Sequence, residues 1–456
     1  MFQTLKNAWK VSELKNKLIF VFFAIVIYRL GASIPVPYVS PDALASFNAS
    51  TAGSIFAYMN LLSGQAFGNA TLFALSVSPY ITASIVMQLL GIAFPKIQET
   101  ANSGPEGKKK IDFATRLVTI GLALLTAVGY TMLITSSAYS GMTSVDRTGG
   151  FSLTVFFQCT VMILSYCAGA AIVMWIAQLI DQYGIGNGIS IILFANIVAG
   201  FKTLATSLWG LITGKTFPLW AGILIAIACV IAAVAVLVFI VWFTDSERRI
   251  PIQYAKQTRG RRQYGGQKSN LPIKLNMSGV MPIIFASSIV SLPATIAGFF
   301  PNVKVLKWIG DHFNYYKWPY LVVFLLLLVA FAYFYINISF NPTDVANNIR
   351  MNGGSIPGYR AGEDTSNQIK KILNRITLIG ALFLCIIAGV PMLITVIYEA
   401  VTSGGLSAGT ADASLVSFAQ IAFGGSSLLI VVGVAIETFR ELEAQLTMRN
   451  YKGFLD

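Results

Sequence analysis

The chain has 456 residues, of which 55% are hydrophobic and only 11% charged. A soluble domain carries about 25% charged residues, so a water-facing surface over most of this chain is excluded. The net charge of +13 leaves nucleic acid, anionic lipid and acidic proteins as partners, and the position of the charges decides among them.

The chain begins MFQTLKNAWKVSELKNK and then enters a long apolar run with no small-residue cleavage site behind it. This reads as a retained first helix and not as a removed signal peptide. A helix needs about 20 apolar residues to cross the hydrocarbon. Ten segments qualify: 18–36, 72–94, 114–135, 153–178, 186–206, 217–243, 278–300, 319–339, 376–398 and 415–437. Lipid tolerates no unpaired backbone, and the alternation of a membrane barrel is missing, so the spans are predicted as helices. Between the first two spans, residues 54–70 (SIFAYMNLLSGQAFGNA) are apolar but too short to cross. They read as a half-helix that dips into the membrane and turns back, a course tolerated only inside protein or along a cavity.

Twenty-five of the 32 Lys and Arg lie in the N-terminal segment, the 95–116, 244–275 and 340–375 loops and the C-terminal tail. Six lie on the opposite side, and Arg29 lies within the first span. The sides alternate correctly across all ten segments, which predicts both termini in the cytoplasm. Ten spans divide into five and five, residues 1–210 and 211–456. An odd number per half makes the halves inverted with respect to each other.

The spans are poor in chemistry. Asp181, Glu399 and Glu437 sit at span ends, and Arg29 is the one charge well inside. A snorkelling or bundle-paired side chain accounts for Arg29 without a role in transport. Such emptiness counts against an ion-coupled transporter, which also uses inverted repeats. His312 is the only histidine, and neither HExxH nor GxSxG occurs, so no enzyme, metal or cofactor is expected. Cys159, Cys167, Cys229 and Cys385 lie in apolar runs without a CxxC pair and read as small buried hydrophobes. GIGNGIS (184–190) lacks the strand and lysine of a phosphate loop, and it reads as close helix packing. The 244–275 and 340–375 loops are longer than a connection requires, basic and aromatic-bearing. They read as docking surfaces whose arginines suit carboxylate or phosphate.

Six strings carry a resemblance: SVSPYITASIVMQLL (76–90), GIGNGISIILFANIVAG (184–200), RRIPIQYAK with GRR following (248–262), NMSGVMPIIFASSI (276–289), NPTDVANNIRMNGGSIPGYRAGE (341–363) and FGGSSLLIVVGV (423–434). With these in order along its whole length, the chain resembles the SecY family of protein-translocation channels. The resemblance implies an all-α integral membrane protein of ten transmembrane helices in two inverted five-helix halves, plus a short re-entrant plug. It implies a pore ring of Val77, Ile81, Ile189, Leu193, Ile284 and Ile430. Val77 stands where the family commonly has Ile. Taken alone, pairs four apart simply share a helix face, as in any bundle. The plug falls on Asn60, Leu61, Leu62, Ser63, Gly64, Gln65, Ala66 and Phe67.

The resemblance also implies a lateral gate at Thr82, Gln88, Ser287, Ser288 and Leu292. Small and hydroxyl residues suit a seam held by weak polar contacts, and equally suit ordinary helix packing. Docking residues are Arg248, Arg249, Arg261, Arg262 and Arg360, with Ala361 where the family often has Pro. The implied partners are the SecE and SecG subunits, the SecA ATPase, the ribosome through its RNA phosphates, signal peptides, unfolded polypeptides and membrane lipid. The implied location is the cytoplasmic membrane.

Overall fold

A computed structural model describes residues 2–40, 55–135, 143, 153–213, 219–254, 257–259, 262–264, 268–299, 303–313, 317–403 and 425–452. Every one of the ten expected spans overlaps a helix. In the first half these are α2 (Ser12–Gly31), α4 (Ser78–Ala93), α6 (Pro105–Ile134), α7 (Leu153–Tyr183) and α8 (Gly188–Thr213). In the second half they are α9 (Leu219–Asp245), α10 (Met281–Phe299), α12 (Trp318–Ser339), α14 (Glu363–Ser403) and α15 (Gly425–Lys452). Shorter helices are α1 (Phe2–Lys10), α3 (Ile55–Leu62), α5 (Pro95–Asn102), α11 (Lys304–His312) and α13 (Pro342–Met351).

Several boundaries differ from the hydropathy reading, each for a local reason. The first helix stops at Gly31, five residues early, and the chain beyond it pairs Pro35 with Thr71. The second span becomes helical only at Ser78. Ser76 has φ 51°, Val77 caps the helix and Pro79 fills its first turn. That helix ends at Phe94, and α5 leaves it at 110°, because Pro95 disfavours helical backbone in the residue before it. α14 runs 41 residues, roughly 60 Å at 1.5 Å per residue, so it projects well beyond a hydrocarbon core of about 30 Å.

Burial separates central from peripheral spans. In α14, 56% of the apolar window is buried within the chain, against 12% in α9. A helix apolar all round and so little covered faces lipid or another subunit. One continuous apolar cluster runs through the spans, from Tyr28 and Phe67 through Ile81, Leu193 and Ile284 to Ile430.

The described residues of the 244–275 loop include four strands. β1 (Glu247–Tyr254) pairs antiparallel with β4 (Lys268–Lys274) and also with β5 (Gly354–Ser355), giving the order β4-β1-β5. A second hairpin joins β2 (Gln257–Arg259) to β3 (Arg262–Tyr264). The sheet therefore ties the two long basic loops together on one side of the molecule. Ile250, Ile252 and Ile273 pack under it with Ile349, Ile356, Ile369 and Leu373, a small core separate from that of the spans. On the same side, Ala8, Leu14, Ile185 and Leu442 cluster, and Lys17 Nζ donates to Gln445 Oε1 at 3.2 Å. Arg440 of α15 also pairs with Asp245 at 3.0 Å, so both terminal segments, the turn after α7 and the start of the first loop lie together.

Candidate functional site

The segment after the short helix α3 is where the structure is most unusual. The expected half-helix over 54–70 is helical only over Ile55–Leu62. From Ser63 to Val77 the chain runs as successive turns, apart from the bridge at Thr71. Gly64 (φ 62°), Gln65 (73°), Ala70 (44°) and Ser76 (51°) all adopt left-handed backbone. That conformation is costly for residues with a side chain and persists only where surroundings hold it. Here hydrogen bonds hold it. Asn60 O accepts from Gln65 N at 2.8 Å, and Asn60 Oδ1 accepts from Gly68 N at 2.7 Å. Ser63 Oγ accepts from Phe67 N at 2.9 Å. Two tyrosines from α6 and α7 reach in, Tyr130 donating to Phe67 O and Tyr166 to Ala70 O. Phe67 is fully buried, stacked on Phe56 at 5.8 Å and tilted against Tyr130 at 4.5 Å.

The six aliphatic residues expected to form a ring come from four elements of the two halves. Val77 caps α4 and Ile81 lies one turn on, with Ile81 N donating to Val77 O at 3.0 Å. Ile189 and Leu193 share a face of α8, Ile284 lies on α10 and Ile430 on α15. Five are buried, Ile189 is half-buried, and all six belong to the same apolar cluster. The start of α8 shows how the glycine string is used. Asn187 Oδ1 caps the helix, accepting from Ile189 N at 3.0 Å and Ser190 N at 3.3 Å. Gly188 N donates to Asp181 Oδ1 at 2.7 Å, and a Cβ on Gly188 would strike the Ala177 carbonyl. Close helix packing is therefore the role of this motif.

Of the expected gate residues, Thr82, Ser288 and Leu292 line one cavity of about 50 Å³ between α4, α6 and α10, closed below by Met59 and Leu62. Ser287 is buried beside it. Gln88 lies apart, exposed and donating to Ser84 Oγ at 3.3 Å, along a larger cleft of about 1260 Å³. The expectation of weak polar contacts across the seam is corrected by the hydrogen bonds. Among the described residues, Thr82 donates to Ser78 O at 3.1 Å, Ser288 to Ile284 O at 2.7 Å and Ser291 to Ser288 O at 2.9 Å. These hydroxyls are satisfied within their own helices. Thr295, which also reaches Met59 Sδ at 3.6 Å, bonds back to Ser291 O at 2.7 Å. Separating α4 from α10 would strand none of these donors.

The basic loop residues divide. Arg248 and Arg249 are exposed on β1, and Arg249 Nε pairs with Glu247 Oε1 at 2.7 Å. Arg262 begins β3, and Arg261 lies outside the described residues. Arg360 is exposed between β5 and α14, its carbonyl accepting from Thr365 Oγ1 at 2.8 Å. Beside this surface Lys274 is pushed below its ordinary pKa, first by partial burial and then by Arg440.

Sequence reasoning missed the strands and missed Asn196. The strands carried a signal, since RRIPIQY buries Ile250 and Ile252 and exposes the residues between. Asn196 carried only its type, a polar residue in an apolar run, and it is fully buried.

Comparison with known proteins agrees with this architecture. The SecY family model matches residues 71–439. Over their full lengths and that of the chain, Protein translocase subunit SecY of Streptomyces galbus is 38% identical and that of Bacillus subtilis (strain 168) 37%. A solved structure described as "The structure of a protein conducting channel" aligns with a TM-score of 0.61 at 18% identity, covering 94% of this chain and 92% of the other. Another, "Sec61 in the Canine ribosome-channel complex from the endoplasmic reticulum", aligns at 0.59 and 17% with the same coverage.

Proposed function

The chain belongs to the SecY family and is a multi-pass protein-translocation channel, and on that premise we propose how its residues carry out transport. It is a passive pore through which unfolded secretory chains cross the cytoplasmic membrane, with a sideways exit for membrane-bound segments. The two halves, 1–210 and 211–456, are the leaves of the channel. The observation that carries this reading is the buried, tightly turned segment after α3, lodged in the same apolar cluster as six aliphatics from four elements of both halves.

Val77, Ile81, Ile189, Leu193, Ile284 and Ile430 form the constriction. Aliphatic groups dewet a narrow pore and resist ions, yet offer a passing chain no specific hydrogen bond. Residues 55–70, including Asn60, Leu61, Leu62, Ser63, Gly64, Gln65, Ala66 and Phe67, plug it at rest. Thr82, Ser287, Ser288 and Leu292 lie along the exit between α4 and α10, with Gln88 at its basic-side end. The self-satisfied hydroxyls support that role, because opening costs packing and no hydrogen bond.

Energy comes from partners. The joined basic loops, with Arg248, Arg249, Arg261, Arg262 and Arg360, dock the SecA ATPase or the phosphates of ribosomal RNA. SecE and SecG cover lipid-side surfaces, of which the poorly covered α9 is one. Both termini face the cytoplasm. The test is transport in proteoliposomes. Purified complex supplied with SecA and ATP should carry an unfolded secretory chain into a protease-protected lumen. Failure under conditions where a related complex succeeds would overturn the reading.

A further inference from the structure

Arg29 lies in the last turn of α2 among apolar neighbours, where a snorkelling side chain would turn outward. It turns inward instead. Its Nη1 donates to Gly64 O at 3.3 Å and its Nη2 to Ala195 O on α8. The next residue, Asn196, is fully buried, and its Nδ2 donates to Leu62 O at 2.8 Å and to Ser76 Oγ at 3.1 Å. Ser76 Oγ lies 3.4 Å from Tyr28 OH, so α2, α8 and both ends of the turned segment meet in one polar knot. Leu62 is the last residue of α3, and its carbonyl and that of Gly64 have no further turn of that helix to accept from. A cation and an amide from two other helices supply what the helix end lacks, and a positive charge is favoured there.

Gly64 is required by this arrangement. Its φ is 62°, and a Cβ would sit 2.7 Å from both Arg29 Nη atoms and 3.0 Å from Asn196 Cα. Asn196 also follows Leu193 by three residues on α8, so knot and constriction share one rigid element.

We infer that Arg29 and Asn196 are positioning residues that latch the plug shut by holding its Leu62 and Gly64 carbonyls. The inference rests on reading 55–70 as a plug. Displacing the segment would exchange these bonds for bonds to water, so the latch is reversible and its net strength modest.

The experiment is the resting ion conductance of the reconstituted complex, with and without residues 60–70. Arg29→Gln, Asn196→Leu and Gly64→Ala should each raise the leak about tenfold, the size of one or two of these hydrogen bonds. Arg29→Lys, which keeps the charge but not the fork, should restore part of the seal. In the plug-deleted channel, which lacks Gly64, neither Arg29→Gln nor Asn196→Leu should add leak. A leak that is unchanged in the full-length variants, or that still rises after deletion, overturns the latch while leaving the plug standing. A deletion that leaves the bilayer tight overturns the plug and the latch with it. Should Asn196→Leu not fold, the lysine and alanine variants decide.

Discussion

At the scale of single residues, identity and role come apart. Ile81 and Ile189 are aliphatic residues like many others in the spans, and the buried cluster that contains both is what any bundle needs. A constriction and a packing contact differ in what is lost on removal. Ile81→Gly and Ile189→Gly each cost roughly 3–5 kcal/mol through cavity and helix propensity. As ring members they also raise ion leak at matched amounts of folded protein. Conductance in planar bilayers, normalised to folded complex, separates the two effects, and a fall in stability alone would make them packing residues. Arg29 stood out in the sequence as the one charge within a span. Its acceptors did not, because they lie 35 and 166 residues away.

At the scale of elements, the two basic loops were legible as unusual and illegible as structure. The alternation in ERRIPIQY is a strand signal of only eight residues, and its second partner, β5, is two residues long and about a hundred positions on. Their joining gives the proposed docking surface a framework. Arg360 follows β5 closely, so its position is set by the same sheet that displays Arg248 and Arg249. Arg360→Glu should lower SecA-driven transport several-fold while resting conductance stays unchanged. Transport measured at limiting SecA checks this, and an unaltered rate removes that loop from the docking surface. The half-helix was legible in length and in its glycines. Its early end at Leu62 was not, since the left-handed turns that follow depend on Tyr130 and Tyr166 from other helices.

At the scale of the whole molecule, the proposed sideways exit requires parts of the two halves to separate. The seam between α4 and α10 holds a small cavity and hydroxyls bonded to their own helices. Thr82→Cys with Ser288→Cys, in a background lacking the four native cysteines, should accept a short bifunctional thiol reagent. Cross-linking should stop insertion of membrane segments, and a reducible reagent should allow recovery on reduction. Insertion that continues through a linked seam would place the exit elsewhere.

The sequence by itself determined that this chain spans a membrane ten times, which faces are basic and where a segment is too short to cross. Those properties are local: hydrocarbon selects runs of about 20 apolar residues, and charge is read loop by loop. The family strings extended this to a channel. Only the tertiary structure decided that two distant loops share a sheet, that the hydroxyls of Thr82 and Ser288 bond within their own helices, and that Arg29 and Asn196 grip carbonyls at the end of a short helix. A segment's solubility in lipid belongs to its own side chains, whereas a buried hydrogen bond needs a partner that only folding brings near.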